Sequence, residues 1–297
     1  MALNNFAAID IGTNSFHLIV TRIKGNGNFE IIDREKEVIR LSEGSSGDIK
    51  EIKPAAVERA VQTLKNFKGI AESHNASIRA VATSAVREAL NQSEFIKRVY
   101  DETGIEIEVV SGHEEARLIY LGVLKAVPFY KNKILCIDVG GGSTEFIIGC
   151  KGKIDFSMSH KIGAVRMTQH FFPDGVISKT RIQECRKWIE GEIYPTLEII
   201  RKYNFEFCVG SSGTIMSIGS MLLKIEEESE AAATILNNYE FSAADLRKVE
   251  KKIFRKKMIS DRKKIKGLDS KRADIIPAGV IILSTLFEKI GIKQMTI

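Results

Sequence analysis

Ala8-Ile9-Asp10-Ile11-Gly12-Thr13-Asn14-Ser15 and Cys136-Ile137-Asp138-Val139-Gly140-Gly141-Gly142-Ser143-Thr144-Glu145 are one pattern written twice, 128 residues apart. Each copy leads apolar residues into an aspartate and passes through glycine and hydroxyl residues. It then returns to apolar residues, at Phe16–Val20 and at Phe146–Ile148. That order predicts strand, tight turn, strand. A carboxylate at a strand end beside bare backbone amides suits a metal-bound phosphate chain. Two copies predict a duplicated α/β domain with a ligand held between the halves.

Outward from the first copy, residues 6–12, 15–23 and 28–40 read as three consecutive strands, with Gly25-Asn26-Gly27 turning the last two. Ser42–Asp48 reads as a polar loop. Pro54 then opens a helix over 55–73, where Val57, Ala60, Val61, Leu64, Phe67, Ile70 and Ala71 recur at helical spacing. Strands at 78–83 and 105–110 and helices at 93–103 and 114–127 complete the order β-β-β-α-β-α-β-α. The second half repeats it with strands at 133–139, 142–150 and 153–160 and helices at 163–172 and 178–201. A strand at 205–209, helices at 213–224, 242–257 and 271–290, and a last strand at 292–296 follow. Pro128 and the polar Tyr130–Lys133 stretch mark the boundary, predicting domains 1–127 and 128–297 with the site in the cleft between them.

Composition narrows the class. A chain of 297 residues with 44% hydrophobic and 28% charged residues has enough material for two soluble cores. No apolar run reaches the roughly 20 residues of a membrane span, and no basic n-region precedes an apolar core and cleavage site. A cytoplasmic protein without membrane association is therefore expected. Cys136, Cys150, Cys185 and Cys208 have no zinc spacing and are expected to be reduced, structural thiols. The charge is uneven: Arg247–Arg272 holds 13 Lys/Arg against three Asp/Glu, while the rest of the chain has 31 against 35. That segment is either a solvated helix face or an electropositive wall for a polyanion. No nucleic-acid-binding motif accompanies it, so nucleic acid is not an expected partner.

Asp138-Val-Gly-Gly-Gly-Ser-Thr-Glu145 is the sharpest chemical motif. Its glycines allow positive φ and close approach of an oxyanion to the backbone. Asp138 and Glu145 leave the two strands of one hairpin, where both can face one Mg²⁺ directly or through water. A purely structural hairpin needs neither three glycines nor flanking acids. Gly140, Gly141, Gly142, Ser143 and Thr144 are thus candidate phosphate ligands, and Asp138 and Glu145 candidate metal ligands. Gly-Thr-Asn alone is an ordinary turn. Its match to the second copy adds Thr13, Asn14 and Ser15 as phosphate ligands and Asp10 as a metal ligand.

Three further motifs follow strand ends. In Ser111-Gly-His-Glu114-Glu115-Ala-Arg117, Ser111 as N-cap puts Glu114 at N3 of a capping box. Glu115 lies about 100° further round the helix, where it can act as a general base or simply favour the helix dipole. Gly210, Ser211, Ser212, Gly213 and Thr214 form a turn before a helix, suited to an anion. Without Gly-Lys-Ser/Thr it is not a P-loop. Arg87, placed in a first helical turn after Thr83, implies an anion nearby or a surface ion pair. His17 and His113 stand alone and are not read as metal ligands.

With these residues in hand, the chain resembles the exopolyphosphatase/guanosine pentaphosphate phosphohydrolase (Ppx/GppA) family. That family belongs to the superfamily of acetate and sugar kinases, heat-shock chaperones and actin. Six ordered motifs carry the resemblance, at 10–17, 83–89, 111–119, 138–145, 210–214 and 271–279. It implies two ribonuclease-H-like domains flanking an interdomain cleft, with the catalytic glutamate at Glu115. It also implies metal-associated acids at Asp138 and Glu145 and a phosphate-contacting arginine at Arg87. The implied reaction is Mg²⁺-dependent hydrolysis of a terminal phosphoanhydride, on inorganic polyphosphate or on guanosine pentaphosphate. The same phosphate loops serve both, so the residues do not choose. A non-catalytic actin-like nucleotide sensor and a sugar or acetate kinase are the readings from other classes, and a homodimer is the default expectation. The sequence ends at Ile297 without the Gly-Leu-Arg-Glu-Gly-like segment and helical C-terminal region of longer members.

Overall fold

Strict alternation builds the first sheet. In β1 (Asn5–Ile11), Ala7, Ile9 and Ile11 are buried while Phe6, Ala8 and Asp10 are exposed, as a strand with one face on a core requires. The structure is a computed structural model describing residues 5–24, 28–44, 51–226 and 230–297. The expected turn at 25–27 and the end of the Ser42–Asp48 loop lie outside the described residues. β2 (Ser15–Ile23) and β3 (Phe29–Val38) continue β1 as an antiparallel meander. β4 (Ala76–Ala82) runs parallel to β1, and β5 (Ile107–Val109) parallel to β4, giving the order β3-β2-β1-β4-β5. α1 (Pro54–Ser73) supplies Val61, Leu64 and Phe67 to the core, and α3 (Gln92–Thr103) adds Phe95 and Val99. Between them sits α2 (Ser84–Arg87), a single turn.

The second unit opens with α4 (Gly112–Ala126) and repeats the meander in β6 (Ile134–Val139), β7 (Thr144–Cys150) and β8 (Lys153–His160). Then come α5 (Ala164–Phe171), α6 (Lys179–Ile200), β9 (Phe207–Ser211), α7 (Gly213–Leu223) and α8 (Glu230–Leu236). β10 (Glu240–Ser242), α9 (Ala243–Phe254), α10 (Ile259–Arg262), α11 (Ile276–Ile290) and β11 (Gln294–Thr296) close the chain. Its sheet runs β10-β11-β9-β6-β7-β8, so an antiparallel meander again continues into parallel strands. Both units are ribonuclease-H-like, and the duplication expected from the repeated motif is visible in their topology.

Three sequence expectations are revised. The chain divides between Ser111 and Gly112 rather than at Pro128. α4 lays Ala116, Tyr120 and Val123 against Ile134, Cys136 and Ile147, so it belongs to the second core. The helix expected over 271–290 breaks, because Pro277 has no N–H to continue it. A short 3₁₀ turn at Ser270–Arg272 precedes α11, which takes Pro277 into its first turn. The short elements α2, α8, β10 and α10 are too brief to show a periodicity. All four cysteines are free, and burial pushes the Cys136, Cys185 and Cys208 thiols up. Among the described residues no helix is long and apolar enough to cross a membrane.

A buried arginine ties the basic segment into the second core. Arg262 is fully buried and donates to the carbonyls of Ala273 (2.7 Å), Lys256 (3.0 Å), Lys257 (2.9 Å) and Gly175 (2.8 Å). Truncation to alanine strands those acceptors and opens a cavity. Arg262→Ala is expected to cost about 3 kcal/mol, read as a lowered urea midpoint. An unchanged midpoint would contradict this account.

Candidate active site

The two copies of the repeated motif close in the same way. Gly12 N donates to Ser15 O at 3.2 Å, and Gly140 N to Ser143 O at 3.0 Å. In the first unit Asp10 is exposed near the end of β1, opposite His17. Thr13 and Asn14 are buried, and their carbonyls accept from Leu41 and from Ile39 and Arg40. The Asn14 amide Nδ2 is buried without an acceptor among the described residues, so this turn presents a donor suited to a phosphate oxygen. Ser15 Oγ meets His17 Nε2 at 3.0 Å. Arg87 is half-buried and donates to Val110 O at 2.9 Å. It ends a one-turn helix instead of standing in the first turn of a longer one. The argument from an unfavourable dipole therefore lapses.

In the second unit Asp138 and Glu145 are direct partners across β6 and β7, and Asp138 also aligns with Ser211 across β6 and β9. Paired positions on one face of a sheet bring side chains together. Glu145 is buried and accepts from Ser159 Oγ at 2.7 Å and from Ser143. Asp138 is half-buried and accepts from Ser211. Glu115, half-buried in the first turn of α4, adds its charge to both. Its neighbour Glu114 forks onto Arg117 with two contacts of 2.7 Å. α4 starts at Gly112, directly after Ser111, and both Glu114 carboxylate oxygens are engaged by Arg117.

The electrostatics of the three acids are unfavourable when all are ionised. Burial, with Glu115 adding to it against the Ser211 hydroxyl, pushes the Asp138 carboxyl up to about 6. Burial first, then Glu115 and Asp138, push Glu145 well above the carboxylate range, against its two serine bonds. Such perturbed groups cluster at functional sites. Among the described residues no three His, Cys, Asp or Glu side chains close into an all-protein metal cage. The donor set is one of hard oxygens carrying excess negative charge. It suits an ion that keeps waters and takes substrate oxygens, as Mg²⁺ does.

α5 aims the glycine turn. Gly140 O accepts from Ala164 N and Gly141 O from Val165 N, both at 2.9 Å, while Gly142 O accepts from the buried Arg166 Nε at 2.9 Å. The carbonyls are thereby drawn onto α5. Among the described residues the Gly141 and Gly142 amides donate to no backbone carbonyl, which leaves them for an anion. The positive φ expected of these glycines is not used. Space is what the turn requires: a Cβ on Gly163 would strike the Gly141 backbone. Gly163→Ala is expected to push α5 off the turn and cost about 1–3 kcal/mol, with loss of phosphate affinity. A variant as stable and as tight as the parent would refute the packing argument.

A second anion cradle follows β9. Ser212 has φ 97°, a strained value for serine. Its Oγ and Thr214 Oγ1 are buried without partners among the described residues. Arg272 is buried, lies where a Cβ on Gly213 would be, and has an Nε without a partner among the described residues. Strain beside orphaned polar atoms marks a place built for a ligand. Sequence reasoning assigns no role to Arg272 or Arg166: Arg272 looks like its solvated neighbours in a basic stretch, and Arg166 stands among apolar and neutral residues with nothing to mark its burial.

Comparison with known proteins places this arrangement. An exopolyphosphatase from Cytophaga hutchinsonii is 28% identical over 98% of this chain and 93% of its own, with a TM-score of 0.89. An exopolyphosphatase-like protein is 26% identical over 100% and 94%, with a TM-score of 0.88. The Ppx/GppA family member of Aquifex aeolicus is 25% identical over 99% and 92%, with a TM-score of 0.79. The sequence pattern of the Ppx/GppA phosphatase family matches residues 19–297. With that match spanning both units, the chain belongs to the Ppx/GppA phosphatase family.

Proposed function

We propose that this phosphatase is an exopolyphosphatase, hydrolysing the terminal phosphoanhydride of inorganic polyphosphate and releasing orthophosphate. The hydrolytic part of the reading rests on Asp138 and Glu145 paired across β6 and β7, with Glu115 adding its charge, beside the Gly140–Ser143 turn. The choice of polyphosphate rests on the similarity to an exopolyphosphatase, 28% identical over 98% of this chain. Glu115 orients a water and takes its proton as the water oxygen attacks the terminal phosphorus. The anhydride P–O bond breaks, and the shortened chain leaves as an anion. The Gly141 and Gly142 amides, Thr214, Ser212 and Arg272 bind the phosphate oxygens. In the first unit Asn14, Thr13, Ser15 and Arg87 are that unit's own phosphate-binding groups, with Asp10 as the acid of its turn. In the second unit Asp138 and Glu145 would hold Mg²⁺. The ion supplies charge neutralisation on the transferred phosphoryl group. Positioning and electrostatics of this kind provide most of the catalysis in phosphoryl transfer.

The test is phosphate release by the wild type, with Mg²⁺, from short polyphosphate, long polyphosphate, guanosine pentaphosphate and ATP measured side by side. Release chiefly from polyphosphate is the expected result. Preference for guanosine pentaphosphate would replace polymer by alarmone as substrate. Absence of release from all four would overturn the hydrolase reading.

A further inference from the structure

The basic segment noted in the sequence resolves into a face with a definite shape. On α9 and its C-cap, Arg247, Lys251 and Arg255 are exposed at i, i+4 and i+8, the spacing that aligns side chains along one side of a helix. With Phe254 and Glu250 they line a shallow groove of about 460 Å³. Glu250, the acid among them, is bound in an ion pair to Arg186. Arg247, Lys251 and Arg255 make no ion pair among the described residues. The groove therefore keeps a net positive charge.

This charge continues toward the phosphate cradle. Lys252, beside Lys251, reaches Lys266 O at 3.5 Å and stands near the cation of Lys224 at the end of α7. From Lys266 the chain runs along α7, with Gly267 packed on Ser220 and Arg272 on Gly213. Ser220 is seven residue steps along α7 from Gly213, about 10 Å at 1.5 Å per residue. Arg272 at the Gly213 end of α7 and Lys224 with Lys252 at its other end are the cations placed between the cradle and α9.

We propose that α9 is an accessory site in which Arg247, Lys251 and Arg255 hold the distal phosphates of a long inorganic polyphosphate whose end occupies the cradle. The proposal rests on the reading of that cradle as the hydrolytic site. Chemistry favours polyphosphate over nucleic acid: single-stranded nucleic acids are gripped by exposed aromatic platforms, and the groove offers one half-buried phenylalanine.

The triple variant Arg247→Ala/Lys251→Ala/Arg255→Ala tests it, since all three side chains are exposed. KM for long polyphosphate should rise on the order of tenfold, with kcat and the kinetics of tripolyphosphate unchanged. The log–log salt dependence of long-chain binding should become shallower by about three ions. Binding of long polyphosphate is also measured in a Glu115→Gln background, which separates the two readings. If no substrate is hydrolysed but the triple variant still loses about tenfold in polyphosphate affinity, the accessory site stands without the hydrolase. Unchanged long-chain binding and KM would overturn the accessory site alone. Tighter binding of single-stranded RNA than of polyphosphate at equal phosphate concentration would also overturn it.

Discussion

Glu115→Gln should lower phosphate release by on the order of 10³-fold while KM moves only a few-fold. The amide keeps the shape and one hydrogen-bonding oxygen of the carboxylate but cannot take the proton of the attacking water. Its neighbours separate this effect from misfolding. Glu114, one residue away, is engaged with Arg117, so Glu114→Gln should cost a surface ion pair and little activity. Removing the Glu115 charge also relieves repulsion on Asp138 and Glu145. The inactive variant should therefore be at least as heat-stable as the parent. A Glu115→Gln protein keeping more than a tenth of the wild-type rate, with its melting temperature intact, would remove Glu115 from the chemistry.

Much of the fold was legible because the two hairpins follow one pattern. β2 and β8 end where alternation predicts, and α1 follows its apolar spacing to within a residue. Legibility failed where tertiary packing outweighed local pattern. α4 reads as a continuation of the first domain, yet Tyr120 and Val123 have their partners in the second. The 271–290 periodicity hid the break at Pro277, because apolar spacing continues across it. The acids and glycines of the candidate site were visible as residue types. Their arrangement was not: three glycines in sequence suggest left-handed backbone, whereas what this turn needs is the absence of a side chain at Gly163, against which it packs. Arg272 could not be singled out, since its burial against Gly213 depends on a path of chain through α10 and the 3₁₀ turn.

Asp138→Asn should exchange activity for stability, and pH exposes the exchange. The folded state raises the Asp138 carboxyl from an ordinary 3.8 to about 6, so the native protein binds this proton more tightly than the unfolded chain does. A raised acid contributes stability that is complete below about pH 4 and lost as pH climbs through about 6. Without divalent cation, wild type should thus lose up to about 3 kcal/mol from this group between those values. Water around the half-buried side chain screens part of that loss. Asparagine cannot ionise, so the variant should match wild type at pH 4 and melt higher at pH 7. Mg²⁺ should stabilise the wild type at pH 7 by binding its ionised acids and do much less for Asp138→Asn. Phosphate release by the variant should fall by on the order of 10²-fold or more. The decisive comparison is melting temperature against pH for both proteins, with EDTA and with Mg²⁺. Parallel curves under both conditions would mean that Asp138 neither carries the excess charge nor meets the ion. Divergence above pH 6 that Mg²⁺ closes would mean that the hairpin acids are held strained in the native fold until a cation and a phosphate chain arrive together.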